Sequence, residues 1–158
     1  MKIEIDIATQ RLRLVSAGSV LINVSVSTAS NGAGENFGSE CTPRGAHIIR
    51  AKIGNGCAIN TVFQGRRPTG EIYSPELAQQ QPDRDWVLTR ILWLSGVEIG
   101  RNRLGNVDTM RRYIYIHGCP DEFEMGVPRS HGCIRMHNDD ILDLYGKVHV
   151  GVEVDIKD

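Results

Sequence analysis

KIEIDIATQRLRLVSAGSVLINVSV (residues 2–26) decides the fold class of this chain. Ile3, Ile5 and Ile7 alternate with Lys2, Glu4 and Asp6, a period of two that sets one face against a core and the other in water. Thr9-Gln10 reads as a turn, Leu12 and Leu14 resume the alternation, Ala17-Gly18 turns again, and Val20, Ile22, Val24 and Val26 make a third strand. This is a meander of short antiparallel strands. The same pattern returns in AHIIRAKI (46–53) and from Val148 to Ile156, where five apolar residues alternate with polar ones. WVLTRILWL (86–94) is apolar on nearly both faces, as a strand in the middle of a sheet must be.

Between these strands lie a Ser, Gly, Asn and Thr-rich loop from Ser27 to Gly45 and an irregular stretch from Gln64 to Asp85. Within the second, only ELAQQQ (76–81) offers a turn or two of helix. A connection this long in a compact domain is expected to act as a lid or flap. Near the end, Asn138 is placed to cap a short helix with Asp139 and Asp140 in its first turn, burying Ile141, Leu142, Leu144 and Tyr145 and stopping at Gly146. The expected architecture is a mostly β, antiparallel β-sandwich or irregular barrel with one short helix, in a single domain spanning 1–158.

Lysine and arginine number 18 against 19 aspartates and glutamates, a net charge of −1, which gives no electrostatic reason to expect nucleic acid or a membrane as partner. In MKIEIDIATQRLRLV charges interrupt every apolar step, unlike a signal peptide or membrane span. The expected compartment is therefore the cytoplasm, with the periplasm as alternative, and Cys41, Cys57, Cys119 and Cys133 are expected as reduced thiols. Cys41 and Cys57 read as small core hydrophobes, and His47, His137 and His149 as solvated.

Chemistry concentrates in HGCPDEFEMGVPRSHGCIR (117–135). In YIYIH (113–117) parity puts Ile114 and Ile116 on one face, and His117 on the other with Tyr113 and Tyr115. Cys133 follows within SHGC. A thiol nucleophile needs a base within hydrogen-bond reach and a group that orients that base, and glycines let backbone N–H groups approach a reacting carbonyl. His117 and Cys133 fill the first two roles. A different reading takes HGC at 117–119 and 131–133 as two pairs of zinc ligands in a binding module, but one residue between ligands is awkward for a shared ion. A silent module that keeps the cleft without the chemistry is a third reading, against which the intact His117 and Cys133 argue. No cofactor or metal is expected.

The paired motifs IHG (116–118) and SHGCIRM (130–136) resemble those of the L,D-transpeptidase catalytic domain, the YkuD family. QRL (10–12), VST (26–28) and TPRG (42–45) match that family too, so the likeness runs from Ile3 to Ile156. Cys119 departs from it, standing where a small hydroxyl residue is common. The resemblance implies an L,D-transpeptidase (YkuD-like) sheet, Cys133 as nucleophile, His117 as base, and a backbone carbonyl at Gly118 or its neighbour orienting the imidazole. It implies backbone N–H groups of His131, Gly132 and Cys133 around the oxyanion, with Ser130 beside them and Arg135 holding a substrate carboxylate or pairing with Asp121, Glu122 or Glu124. His131 itself is expected to hold the turn. The implied substrates are peptidoglycan stem tetrapeptides, cleaved between the third residue, a diamino acid, and D-alanine through a thioester. Carbapenem-type β-lactams are the implied covalent inhibitors. With a cytoplasmic location, the expected outcome is an L,D-carboxypeptidase of peptidoglycan recycling; the alternative is an L,D-transpeptidase forming 3-3 crosslinks in the cell wall.

Overall fold

Strands β1 (Lys2–Asp6), β2 (Arg11–Ser16) and β3 (Ser19–Ser25) form the antiparallel meander that the alternation predicts. Its second turn takes Ala17 and Gly18 into positive φ, 49° and 80°, the turn whose twist matches paired strands. The computed structural model describes residues 1–158. The remaining strands are β4 (Gly45–Ile53), β5 (Thr61–Gln64), β6 (Arg67–Ile72), β7 (Val87–Gly96), β8 (Tyr115–Cys119), β9 (Ile134–His137) and β10 (Glu153–Lys157). All ten join one curled sheet in the order β3-β2-β1-β10-β4-β7-β5-β6, with β8 on β7 and β9 on β8.

The sheet is mixed. β10 enters beside β1 and β9 beside β8, both in parallel, while the other pairs are antiparallel. Alternation specifies which face each residue uses, not which strand lies next to it, so the parallel pairs were invisible to it. β7 meets β4, β5 and β8, in keeping with its apolar faces. Its Leu92 and Leu94 join Ile3, Ile5, Leu12, Leu14, Ile49, Ile116, Ile134 and Met136 in the main core, closed by Ile141, Leu144 and Tyr145 of helix α2 (Asn138–Lys147). Each such side chain contributes about 1.5–3 kcal/mol by leaving water. No helix is long and apolar enough to cross a membrane.

Several expectations need correction. There are two helices, α1 (Pro75–Gln80) preceding α2. The stretch from Gln64 to Asp85 is regular: β5 and β6 form a hairpin whose turn, Gly65-Arg66, lies at φ 56° and 65°. Pro68 is tolerated because β6 is an edge strand, and Ser74 caps α1 by accepting from the Leu77 N–H. The last strand starts at Glu153; Val148 and Val152 are buried in the connection before it, where Gly151 takes φ 96°. Gly146 does not end α2, which runs to Lys147, and Asn138 does not cap it. His47 is buried, 1% exposed, between the Gly45 carbonyl and the Thr109 hydroxyl, each at 2.9 Å. His137 is half-buried against the Phe123 carbonyl, whereas His149 is exposed. Cys41 and Cys57 are half-buried rather than core, and all four cysteines are free thiols.

Candidate active site

The parallel pairing of β8 and β9 builds the site. Ile116 lies opposite Ile134 and both enter the core, so the next pair, His117 and Arg135, faces the other way. Two residues earlier in each chain, Tyr115 and Cys133 share that second face by the same parity. His117 is 1% exposed and its Nδ1 is 2.6 Å from the Gly118 carbonyl. A carbonyl only accepts, so Nδ1 carries the proton and the lone pair is on Nε2. Burial lowers the His117 pKa and keeps the ring neutral, against the pull of the Gly118 carbonyl and Asp85.

Gly118 allows this geometry because no side chain fits there. A Cβ would stand 2.5 Å from Asn138 Oδ1 and 2.7 Å from the Leu88 carbonyl. Opposite it, β7 slips register between Leu88 and Ile91, and Thr89, fully buried, sits at φ 74°, a strained conformation for a β-branched residue. The Thr89 hydroxyl donates to Asn138 Oδ1 (2.5 Å) and accepts from the Asn60 N–H (3.0 Å). Asn138 Nδ2 donates to Asn60 Oδ1 and Asp121 Oδ1. This network packs against Gly118 of β8, beside His117.

The Cys133 thiol is half-buried against the small cluster of Phe63, Ile91 and Tyr115. Its Sγ accepts from the Tyr115 N–H at 3.3 Å and donates to the Tyr113 carbonyl at 3.4 Å. Burial pushes its pKa up to about 12, outweighing the Tyr115 N–H and the cations Arg135 and Arg112. A neutral thiol thus stands beside a neutral imidazole, and no hydrogen bond yet joins them. Such bonds often form only once substrate is seated.

Ser130 fixes the turn that carries the thiol. It is 1% exposed, donates to the Cys133 carbonyl (2.5 Å) and accepts from the Gly132 N–H (3.2 Å). Gly132, at φ 133°, is held by Thr42 of TPRG, whose hydroxyl donates to the Gly132 carbonyl at 2.9 Å. Of the three N–H groups expected around an oxyanion, that of Gly132 is therefore occupied. Those of His131 and Cys133 have no partner.

Arg135, 8% exposed, pairs with Asp85 at 3.0 Å rather than with its own loop. Asp121 instead accepts from Asn138, Glu122 from the Tyr73 hydroxyl, and Glu124 faces Arg129 at 3.6 Å. Asp85 also lies 3.7 Å from the exposed His131. Cys119 is fully buried, its thiol donating to the Met136 carbonyl, with its pKa pushed up to about 12 by burial. No three His, Cys, Asp or Glu side chains converge as metal ligands, so the two HGC segments do not assemble the set the zinc reading needs.

Two open cavities flank the ion pair. One of about 620 Å³ is lined by Ser30, Phe123, Glu124, Pro128, Arg129 and Arg135. The other, about 540 Å³, lies under the hairpin and includes Phe63, Gln64, Glu71, Arg84 and Asp85. At the hairpin tip, Arg66 donates to the Tyr115 hydroxyl (2.9 Å) and stacks 4.6 Å over Tyr113 and 4.9 Å over Trp93. Asp85, Thr42, Thr89, Asn138 and Arg66 were not singled out as site residues from sequence. Only the TPRG match hinted at Thr42.

A curled mixed sheet with a histidine on one strand and a cysteine just before its parallel neighbour gives the class, a β-sheet catalytic domain of the kind that works through a cysteine nucleophile. The chain belongs to the YkuD family, the L,D-transpeptidase catalytic domain, whose family model matches residues 1–156. It is 45% identical over 47 residues to the probable L,D-transpeptidase YbiS of Escherichia coli, a match covering 30% of this chain and 15% of that protein. Its fold is that of an L,D-transpeptidase from Mycobacterium smegmatis (TM-score 0.59, 19% identity, 99% of this chain and 58% of that one). It is equally that of L,D-transpeptidase 3 from Mycobacterium tuberculosis carrying a faropenem-derived adduct (TM-score 0.61, 15% identity, 99% and 60%). The chain thus spans less than two thirds of these relatives.

Proposed function

We propose that this domain transfers the acyl group of peptidoglycan stem tetrapeptides through Cys133 and hydrolyses the resulting thioester, acting as an L,D-carboxypeptidase. The observation that carries the reading is His117, with its proton on Nδ1 and its lone pair on Nε2, directly opposite Arg135 in the strand that Cys133 leads into. His117 Nε2 takes the thiol proton as Sγ attacks the carbonyl of the third stem residue. The oxyanion that forms meets the free N–H groups of His131 and Cys133. As the carbon–nitrogen bond breaks, D-alanine leaves with the proton from His117, and the acyl group remains as a thioester. Water then attacks the thioester carbon, giving a proton to His117; the carbon–sulfur bond breaks, His117 returns that proton to Sγ, and the tripeptide leaves as a carboxylate after losing its remaining proton to solvent.

Hydrolysis is favoured over crosslinking by the hairpin tip. Arg66 is bonded to Tyr115 and stacked on Tyr113 and Trp93, and Tyr113 and Tyr115 are the residues whose backbone bonds the Cys133 thiol. On this reading the tip admits water to the thioester, and the bulkier amine of a second stem enters only if the β5–β6 hairpin moves as a flap. A trimmed soluble stem suits reuse of wall fragments in the cytosol, and fractionation of the native protein tests that compartment.

The deciding experiment incubates the protein with a disaccharide tetrapeptide and reads the products by mass spectrometry, beside Cys133→Ala. Tripeptide and free D-alanine, absent with the variant, are expected. A crosslinked dimer would replace hydrolysis by L,D-transpeptidation. A carbapenem should leave an adduct on Cys133; an adduct on Cys119 would overturn the assignment of the nucleophile.

A further inference from the structure

The carboxylate of Asp85 meets the catalytic segment on both sides of the thiol. Its Oδ1 accepts from Arg135 Nη2 at 3.0 Å, and its Oδ2 lies 3.7 Å from His131 Nδ1. His131 stands two residues before Cys133 and Arg135 two residues after it, so one carboxylate brackets the nucleophile. Arg135 is 8% exposed and has no other ion pair, and a buried guanidinium stripped of its carboxylate is costly. Asp85 is itself firmly placed. It precedes Trp86, which is buried edge-on to Tyr73 at 5.0 Å, and it follows Arg84, which stacks 4.7 Å over Trp86 and pairs with Glu71 of β6 at 2.9 Å. Consecutive residues thus reach in two directions, Arg84 to the hairpin and Asp85 to the segment that leads into β9. After burial, the charges that act on the thiol and its base are those of Asp85, Arg135 and, for the thiol, Arg112. Asp85 is the carboxylate among them; it opposes ionisation of Cys133 and favours protonation of His117.

We infer that Asp85 is a positioning residue for the reaction at Cys133: it fixes the SHGCIR segment by bridging His131 and Arg135, ties that segment through Arg84 to the β5–β6 hairpin, and sets its negative charge against it. Asp85 does not bond the sulfur, whose partners are the Tyr115 N–H and the Tyr113 carbonyl, so it acts through the residues on either side. The N–H groups of His131 and Cys133, free for an oxyanion, are carried by the bridged segment. A slack bridge therefore misplaces those donors together with Sγ. The inference rests on the acyl-transfer reading above and adds to it a residue from outside the HG and SHGC motifs.

The test follows acylation of Cys133 by a carbapenem, read by mass spectrometry over a range of inhibitor concentrations, in Asp85→Ala, Asp85→Asn and Asp85→Glu. In Asp85→Ala the maximal rate of acylation is expected to fall about 10-fold while the half-saturating concentration stays near that of the unaltered protein, and Asp85→Glu should recover most of the loss. Asp85→Asn keeps an oxygen for Arg135 and removes only the charge, so the rise of iodoacetamide alkylation at Cys133 should move to lower pH by about half a unit. A residue that merely props the fold would not move it. Asp85→Asn and Asp85→Glu also decide the matter if urea unfolding shows that Asp85→Ala has lost its fold. An unaltered maximal rate in Asp85→Ala, a loss confined to the half-saturating concentration, or an alkylation profile unmoved in Asp85→Asn would overturn the inference. Neither readout uses a stem peptide, so the expected responses in a protein that turns over no tetrapeptide would overturn the acyl-transfer reading and leave the role of Asp85 standing.

Discussion

Cys133 and His117 are both held uncharged, which sets the terms on which this thiol reacts. With its pKa pushed up to about 12, the free thiol gains nucleophilicity only as the pH rises well past neutrality. Alkylation of Cys133 by iodoacetamide, followed by peptide mass spectrometry, should therefore keep rising toward pH 10. A plateau below pH 8 would mean a thiolate–imidazolium pair instead. When a carbapenem is the electrophile the base is in play, and His117→Ala should slow acylation of Cys133 at least 100-fold, within the range a positioned general base supplies. His131 would inherit the role if that variant kept its rate.

Among the elements, β7 and α2 hold the His117-Gly118 segment of β8 through side chains that patterns of hydrophobicity do not register. The bulge in β7 keeps Thr89 at φ 74°, and its hydroxyl is satisfied only by Asn138 and Asn60. Asn138→Ala removes a fully buried side chain with three partners and leaves polar groups unsatisfied, so it should cost about 1–3 kcal/mol in urea unfolding. It should also slow carbapenem acylation, since Gly118 packs on Asn138. The β5–β6 hairpin makes a different prediction. Arg66→Ala removes the hydrogen bond to Tyr115 and the stacking over Trp93, and should speed alkylation of Cys133 by a bulky maleimide more than by iodoacetamide. Equal acceleration of both would mean that the tip does not act as a cover.

For the molecule as a whole, buried neutral histidines link stability to acid. Burial lowers His47 from 6.5 to about 4, against the Gly45 carbonyl and Glu98. The unfolded chain binds a proton near pH 6.5 and the folded chain only near 4, so the stabilisation is full above 6.5 and is lost as the pH falls through that window. The shift corresponds to about 3 kcal/mol. His117, also lowered, adds in the same direction. Urea midpoints should fall between pH 6.5 and 4, and His47→Gln should flatten that slope while lowering stability at neutral pH. At the alkaline end Cys119 and Cys133, raised from 9.0 to about 12, have the opposite sense: their contribution is full below pH 9 and is lost as the pH climbs toward 12.

The residue order by itself determined that the chain is mostly β, that Ile114 and Ile116 face inward while His117 faces away, and that HG and SHGC belong together. Alternation and glycine-bounded turns are local properties, so they are written in adjacent residues. Tertiary structure decided what depends on neighbours distant in the chain. It set β9 parallel to β8, which brings Cys133 onto the face of His117, and it gave Arg135 a partner fifty residues away in Asp85. It also buried His47 and turned Asn138 from a helix cap into the centre of a polar network. Burial and hydrogen-bond partners are properties of the packed sheet, and they set the protonation of Cys133 and His117.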